Sequence, residues 1–204
     1  MSEFDQKAKE WDKNQMHIDR TRAIARQLIE RIPITPNMKA MEFGAGTGLL
    51  SFYMKEKFAE ITLMDTSLEM LKMADQKMDT GDQKKIKTLF FDLEKENYKG
   101  DPFDIIYSQM VLHHIKDTGA IFGKFYTLLS PGGILAIADL YKEDGLFHDE
   151  IVDVHPGFDP ENLKTILEGE GFNHINFSPC YVIRKQTESG TFKEYPVFLL
   201  TARK

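Results

Sequence analysis

The stretch from Lys39 to Leu50, KAMEFGAGTGLL, limits what this chain can fold into more than any other. Ala40, Met41 and Phe43 surround one acid, Glu42, and glycines follow at 44, 46 and 48 before an apolar run. That order reads as a strand over 40–43, a tight loop, and a helix beginning near Leu49. Glycines allow the backbone φ > 0 and let a ligand lie against it with no Cβ between. The helix amides after Gly48 offer donors with no partner inside the helix. No Lys-Ser/Thr pair follows the glycines, so the loop is not a P-loop. The spacing G-x-G-x-G also departs from the G-x-G-x-x-G that seats a dinucleotide pyrophosphate. Glu42, two residues before the first glycine, disfavours an anion and favours a cationic ligand.

The remaining chain reads as alternating helices and strands. Ile24, Ala25, Leu28, Ile29 and Ile32 form a helical stripe ended by Pro33 and Pro36, with Arg20, Arg22, Arg26 and Arg31 read as its solvated faces. Leu49 to Phe58 is expected to be helix, and Ile61 to Met64 a strand ending at Asp65. Thr66 and Ser67 suit the cap of a helix with Leu68, Leu71, Ala74 and Met78 among its apolar contacts. Strands are expected over 87–91, before Asp92, and over 105–107, before Ser108 and Gln109. A helix with the stripe Ile121, Phe122, Phe125, Leu128, Leu129 follows, then Pro131-Gly132-Gly133 turns into a strand over 134–138. Residues 139–159 show no strong period. A helix over 160–168, two closing strands over 172–182 and 195–202, and a polar loop over 185–193 complete the chain.

Several of these segments together resemble the class I S-adenosylmethionine-dependent methyltransferases of the small-molecule type. They are E-F-G-A-G-T-G, the strand ending at Asp65, the strand before Asp92, D-P-F-D-I-I-Y, the L-H-H segment at 112–114 and L-S-P-G-G-I-L at 129–135. Phe4, Asp5, Ala8, Trp11 and Asp12 also resemble the cofactor-covering N-terminal pattern of that family. The resemblance implies an α/β Rossmann-like fold: a seven-stranded, mostly parallel sheet in the order 3-2-1-4-5-7-6, helices on both faces, and an antiparallel last strand. Residues 1–204 are expected to form one domain, with 1–32 a helical cap.

The same resemblance implies where S-adenosylmethionine binds. The loop of Gly44, Ala45, Gly46, Thr47 and Gly48, with Glu42, would carry the amino-acid end of the cofactor. Asp65, with Thr66 and Ser67 beside it, would accept from the ribose hydroxyls; the plain alternative is a turn residue. Asp92 would accept from the adenine amino group, with Leu93 against the ring. Phe90 and Phe91 are either stacking faces or core. Ser108 and Gln109 leave the sheet at its ligand-binding edge. Trp11 either lies near the cofactor or anchors the segment in the core.

The sulfonium methyl is already activated, so in-line displacement needs mainly alignment. A base is needed only for a protonated acceptor, and histidine is the natural candidate. His113 and His114 follow the fourth strand, one to face the acceptor and the other to pack; His148 and His155 fall in an E-D-G-x-F-H stretch and a later H-x-G-F, resembling a subset of small-molecule members. Either His148 and His155 line an acceptor pocket, with His155 orienting or deprotonating the acceptor, or they cap helices and satisfy carbonyls. His17 and His174 carry no motif and are read as structural or surface. No H-E-x-x-H or other tight ligand spacing is present, and no metal is expected.

A net charge of -6 and the absence of an N/D-P-P-Y/F stretch after the fourth strand point to a small-molecule acceptor rather than nucleic acid. The single cysteine, Cys180, excludes an intrachain disulfide, fits a reducing cytoplasm, and argues against arsenic methylation. The first 13 residues lack the apolar core of a signal peptide, and no apolar run reaches the length of a membrane span. Two other readings compete. A nicotinamide oxidoreductase predicts the spacing that the glycine loop lacks. A non-catalytic module would keep the S-adenosylmethionine site without turnover.

Overall fold

The computed structural model describes residues 3–148, 154–186 and 190–204. Residues 149–153 of the aperiodic stretch and 187–189 of the polar loop lie outside them. Strands β1 (Lys39–Phe43), β2 (Glu60–Asp65), β3 (Ile86–Phe90), β4 (Phe103–Gln109), β5 (Leu129–Leu140), β6 (Asn173–Gln186) and β7 (Phe192–Arg203) form one sheet in the order β3-β2-β1-β4-β5-β7-β6. β7 is antiparallel to both β5 and β6, and the pairs from β3 through β5 are parallel. The expected order and class are those found.

Helices α1 (Glu3–Trp11), α2 (Gln15–Arg31), α3 (Leu49–Met54), α4 (Leu68–Lys77), α5 (Thr118–Leu128) and α6 (Pro160–Gly169) cover the sheet. Side chains cap four of them: Asn14, Ser67, Asp117 and Asp159 each accept from a backbone amide in the first turn, of α2, α4, α5 and α6 respectively. Strand alternation divides the core in two. Val197 and Leu199 of β7 face a cluster with Ile24, Leu28 and Leu50, while Phe198 and Leu200 face Phe122, Phe125 and Leu163. Each fully buried Leu or Phe contributes about 1.5–3 kcal/mol, which is why a sheet covered on both sides holds its register.

Helix α1 is seated on α4 and tied to it where Ser67 Oγ donates to Asp5 Oδ1 at 2.6 Å. Two local expectations change. The helix expected over 49–58 stops at Met54 and ends in a 3-10 turn, Lys55–Lys57. The extended Phe58 then tucks under the sheet and stacks on Tyr107 with ring centroids 5.9 Å apart, so tertiary packing overrides helical propensity there. Leu68, taken as an apolar contact of α4, is 51% exposed, because it opens the helix on its outer side.

Beyond β5 the chain folds back on itself. Lys142 N donates to Phe158 O at 2.7 Å and Glu143 N to Pro156 O at 2.9 Å, bringing 141–148 beside 154–158. A Cβ on Gly157 (φ +65°) would lie 2.2 Å from Tyr141 O, so only glycine permits this approach. Among the described residues, no helix is long and apolar enough to cross a membrane.

Candidate functional site

The carboxyl ends of the parallel strands open into a cavity of about 820 Å³. Its floor is Gly44, Ala45 and Gly46; its sides are Asp65 and Thr66 after β2, Asp92 and Leu93 after β3, and Gln109 through Val111 with His113 through Ile115 after β4. Phe4 and Trp11 of α1 and His17 and Arg20 of α2 close the top. Phe147, His148 and Lys185 complete the wall.

The three glycines do different work. A Cβ at Gly44 would lie 2.5 Å from Val111 Cγ2 and one at Gly48 2.7 Å from Leu63 Cδ1, so these two allow close packing. At Gly46 (φ +55°) a Cβ would meet only Met70 Sδ at 3.8 Å, leaving the space over the loop open. Asp65 braces the loop: Oδ2 accepts from Gly46 N at 2.6 Å and Oδ1 from Ser67 N at 2.8 Å. Burial pushes its carboxyl above the usual range, against these amide bonds. Each Asp65 oxygen retains acceptor capacity beyond its amide bond. Asp92 caps its own turn, accepting from Glu94 N and Lys95 N, and the Lys95 ammonium at 2.7 Å holds its carboxyl below the usual range. Of the two phenylalanines before it, Phe91 reaches the cavity and Phe90 is exposed.

Five residues expected at the ligand lie beneath or behind the cavity instead. Glu42 is buried under the loop, where Oε2 accepts from Ser51 N at 3.1 Å and from Ser51 Oγ, which also contacts Tyr107 OH at 2.6 Å. Desolvation pushes its carboxyl up to about 8, so at neutral pH it holds its proton and presents no negative charge to a ligand. Thr47 Oγ1 donates to Asp12 Oδ1 at 2.6 Å, and Asp12 also pairs with Lys77 at 2.6 Å, latching the N-terminal segment over the loop. Gly48 faces Leu63, and Ser67 caps α4. Ser108 Oγ donates to Phe43 O at 2.8 Å, pinning β4 to β1.

His155 is also displaced from its expected place. Its Nε2 bonds Ile115 O at 2.9 Å and its backbone N donates to His113 O at 2.8 Å, so it braces the turn behind the cavity wall. The imidazoles that reach the cavity are His17, His113, His114 and His148. His113 is buried; its Nδ1 bonds Asp139 Oδ1 at 2.7 Å, and Asp139 also accepts from Leu140 N at 2.7 Å. His17, read as structural or surface, stacks on Trp11 with centroids 4.2 Å apart, and burial lowers its pKa to about 4.

A family model described as a methyltransferase domain matches residues 16–176. This chain belongs to the class I S-adenosylmethionine-dependent methyltransferase family. Among its relatives is phosphoethanolamine N-methyltransferase 1 of Zea mays, 28% identical over 159 residues, covering 74% of this chain and 31% of the maize protein. This chain thus spans about a third of the length of that relative. Its fold matches that of a chain from the complex between the Haloferax volcanii Trm112 methyltransferase activator and a methyltransferase (TM-score 0.80, 19% identity, covering 100% of this chain and 97% of that one). It also matches Haemonchus contortus phosphoethanolamine N-methyltransferase 2, solved with S-adenosyl-L-methionine (TM-score 0.72, 15% identity, 100% and 60% covered).

The least expected wall residue is Arg20. It is 5% exposed, and among the described residues its guanidinium forms no hydrogen bond or ion pair. Burial lowers its pKa to about 10, so it stays charged at neutral pH. Gln109 on the facing strand donates Nε2 to Thr21 Oγ1 at 3.1 Å, while its buried Oε1 has no partner. A sequence signal for Arg20 existed: positions 20, 24 and 28 share one helix face, so this arginine stands in line with Ile24 and Leu28 rather than on a solvated face. Met110, at the end of β4, is non-glycine with φ +56°, a strained conformation at the cavity rim.

Proposed function

We propose that the protein binds S-adenosylmethionine in this cavity and transfers its sulfonium methyl to a small-molecule acceptor. The observation that carries the reading is the pair of unmatched polar groups at one end of the cavity. Among the described residues the buried Arg20 guanidinium makes no hydrogen bond or ion pair, Asp139 acting on it only at longer range, and Gln109 Oε1 is a buried acceptor without a donor. The two are neighbours through the Gln109–Thr21 bond. An α-amino acid supplies both complements, its carboxylate to Arg20 and its ammonium to Gln109, and the methionyl end of the cofactor is such a group. An unpaired buried charge is costly, so a ligand that neutralises it binds with that cost returned.

The rest of the cofactor then follows the rim. Gly46 leaves room for the chain to cross the loop, and Asp65 accepts from the ribose hydroxyls with its remaining lone pairs. Asp92 lies beside Leu93 and Phe91, suited to the amino group and the faces of the adenine. Trp11 and Phe4 cover it. The acceptor enters from the side walled by Phe147 and the imidazoles, which adjoins the methionyl end because Gly44 packs on Val111, just before His113. S-adenosylmethionine held there would supply an activated sulfonium methyl, and its sulfur would keep the carbon–sulfur electron pair when the acceptor takes the methyl, giving S-adenosylhomocysteine. No residue need supply charge for that step; the fold supplies alignment. The relatives named for phosphoethanolamine methylation favour a small acceptor over a macromolecule.

Calorimetry with S-adenosylmethionine, S-adenosylhomocysteine and NAD tests the cofactor. Binding of the first two, with no heat from NAD, is expected, and tighter NAD binding would overturn the assignment. Release of S-adenosylhomocysteine in the presence of an acceptor panel then separates an enzyme from a binding module.

A further inference from the structure

Three imidazoles that no sequence spacing links converge on one point of the cavity wall. His113 and His114 stand on the short turn Leu112–His114 after β4, and His148 arrives from the segment beyond β5. One ring nitrogen from each lies within 4.8 Å of the other two. Ring centroids are 4.2 Å apart for His113–His114, 5.3 Å for His113–His148 and 5.5 Å for His114–His148. We propose that His113, His114 and His148 form a binding site for one divalent transition-metal ion, with Zn²⁺ the reference ion, whose remaining coordination position opens into the cavity.

Four features support a site rather than a chance cluster. The first is the donor set: three neutral imidazoles without a thiol suit a first-row transition metal and not Mg²⁺ or Ca²⁺, which take oxygen ligands. Three protein ligands with a vacant fourth position is the arrangement of reactive zinc sites. The second is the carboxylate behind His113. Asp139 is fully buried and also accepts from Leu140 N, so it is fixed as an acceptor. The His113 Nδ1–H therefore donates to it at 2.7 Å, and the lone pair is left on Nε2. That carboxylate–histidine pairing sets the tautomer and raises ligand basicity in metal sites.

The third feature is scale. Zinc–nitrogen bonds of 2.0–2.1 Å place tetrahedral ligand nitrogens about 3.3 Å apart. Binding an ion would draw the ring nitrogens of the half-buried His114 and His148 from within 4.8 Å toward that spacing about His113. The fourth is the surround. Phe4 meets His114 edge-on at 5.3 Å, and Phe147 meets His148 at 5.1 Å and His113 at 6.3 Å. This apolar collar excludes competing water from the ligands while the cavity provides the entry path. An ion here would offer its open position to an oxygen or sulfur atom of a small molecule in the cavity.

The test uses the full chain stripped with chelator, titrated with Zn²⁺ by calorimetry and with Co²⁺ by visible absorption. One ion per chain is expected, with d–d bands of low-coordinate Co²⁺. His148→Ala and His114→Ala should each weaken Zn²⁺ binding by more than about a hundredfold, and Asp139→Asn by about 10–100-fold. His174→Ala, on the exposed β6, should bind as wild type does. Circular dichroism verifies the fold of each variant, and His148→Ala, on a connecting segment, carries the test if changes at the buried turn prevent folding. No Zn²⁺ binding by the wild-type chain, or unchanged binding by a folded His148→Ala protein, overturns the proposal. The readout is metal and not methyl transfer, so its failure leaves the methyltransferase reading untouched.

Discussion

The two halves of the cavity rim are built on different principles. Around β1, β2 and β3, the backbone does most of the shaping: a glycine loop, two acids at strand ends, and short amide bonds that hold those acids in place. Around β4 and β5, side chains from distant segments do it, with Arg20 and His17 from α2, His113 and His114 from the turn, and His148 from the return segment. The first half is a cradle shaped by backbone. The second is an assembly of ionisable groups whose chemistry is set by what converges there. A change in the first half should therefore remove binding through geometry, and a change in the second should alter what is bound through charge.

The largest expected effect breaks the cradle. Gly46→Val places a branched Cβ in the open space over the loop at φ +55°. Calorimetry should find no measurable S-adenosylmethionine binding; because φ +55° strains any side chain, circular dichroism must show that the variant folds, the new Cβ itself meeting only Met70 Sδ at 3.8 Å among the described residues. Normal binding would show that no ligand crosses the loop. The next effect sharpens the other half. Arg20→Met removes a buried charge that makes no ion pair among the described residues, so the ligand-free chain should melt at a higher temperature while cofactor affinity falls by about 1.5–3 kcal/mol. Decarboxylated S-adenosylmethionine should bind the wild type less tightly than the parent compound, and the variant should not distinguish the two. A wild type that binds both equally removes Arg20 from the carboxylate.

This contrast also explains what was legible in the sequence. The acids at 65 and 92 belong to local patterns, each written within a dozen residues, and both line the cavity; the sheet order was implied only by the resemblance to the family, because periodicity cannot give it. The glycine loop was legible as a loop, but the distinct tasks of Gly44, Gly46 and Gly48 depend on Val111 and Leu63, which approach only in three dimensions. Glu42 misled for the same reason. Its position before the glycines indicates proximity to the ligand, whereas the alternation of β1 turns it toward Ser51 and Tyr107. Arg20 was hidden by habit: an arginine on an amphipathic helix is read as solvated, and only its register with Ile24 and Leu28 says otherwise. No spacing rule could have united His113 with His148, because the path between them is the whole of α5 and β5.

A pH-dependent effect tests the buried acid beneath the cradle. The Glu42 carboxyl is pushed from 4.5 to about 8 by burial. Below pH 4.5 both folded and unfolded chains hold the proton, and this group adds no pH dependence. Between 4.5 and about 8 the unfolded chain releases it and the folded chain retains it, so folding loses up to about 1.4 kcal/mol per pH unit from this site. Glu42→Gln keeps an acceptor for Ser51 and cannot ionise. Its stability in urea should therefore gain on the wild type as pH rises through that window and hold a constant advantage above it. Parallel pH profiles would mean that Glu42 ionises normally in the folded chain.

The smallest expected effect is at His155, where the two halves of the return segment meet. Its imidazole Nε2–H donates to Ile115 O and its backbone amide to His113 O, so the ring supports the turn from outside the cavity. His155→Ala removes the first bond and keeps the second. The expected loss is about 1 kcal/mol of folding stability, the net worth of one hydrogen bond. Affinity for S-adenosylmethionine should be unchanged, because neither ring nitrogen reaches the cavity wall formed by His113 and His148. Methyl transfer, once an acceptor is in hand, should persist at near the wild-type rate. A variant with wild-type stability and cofactor affinity but a collapsed turnover rate would restore His155 as the acceptor's base and require the return segment to move during the reaction.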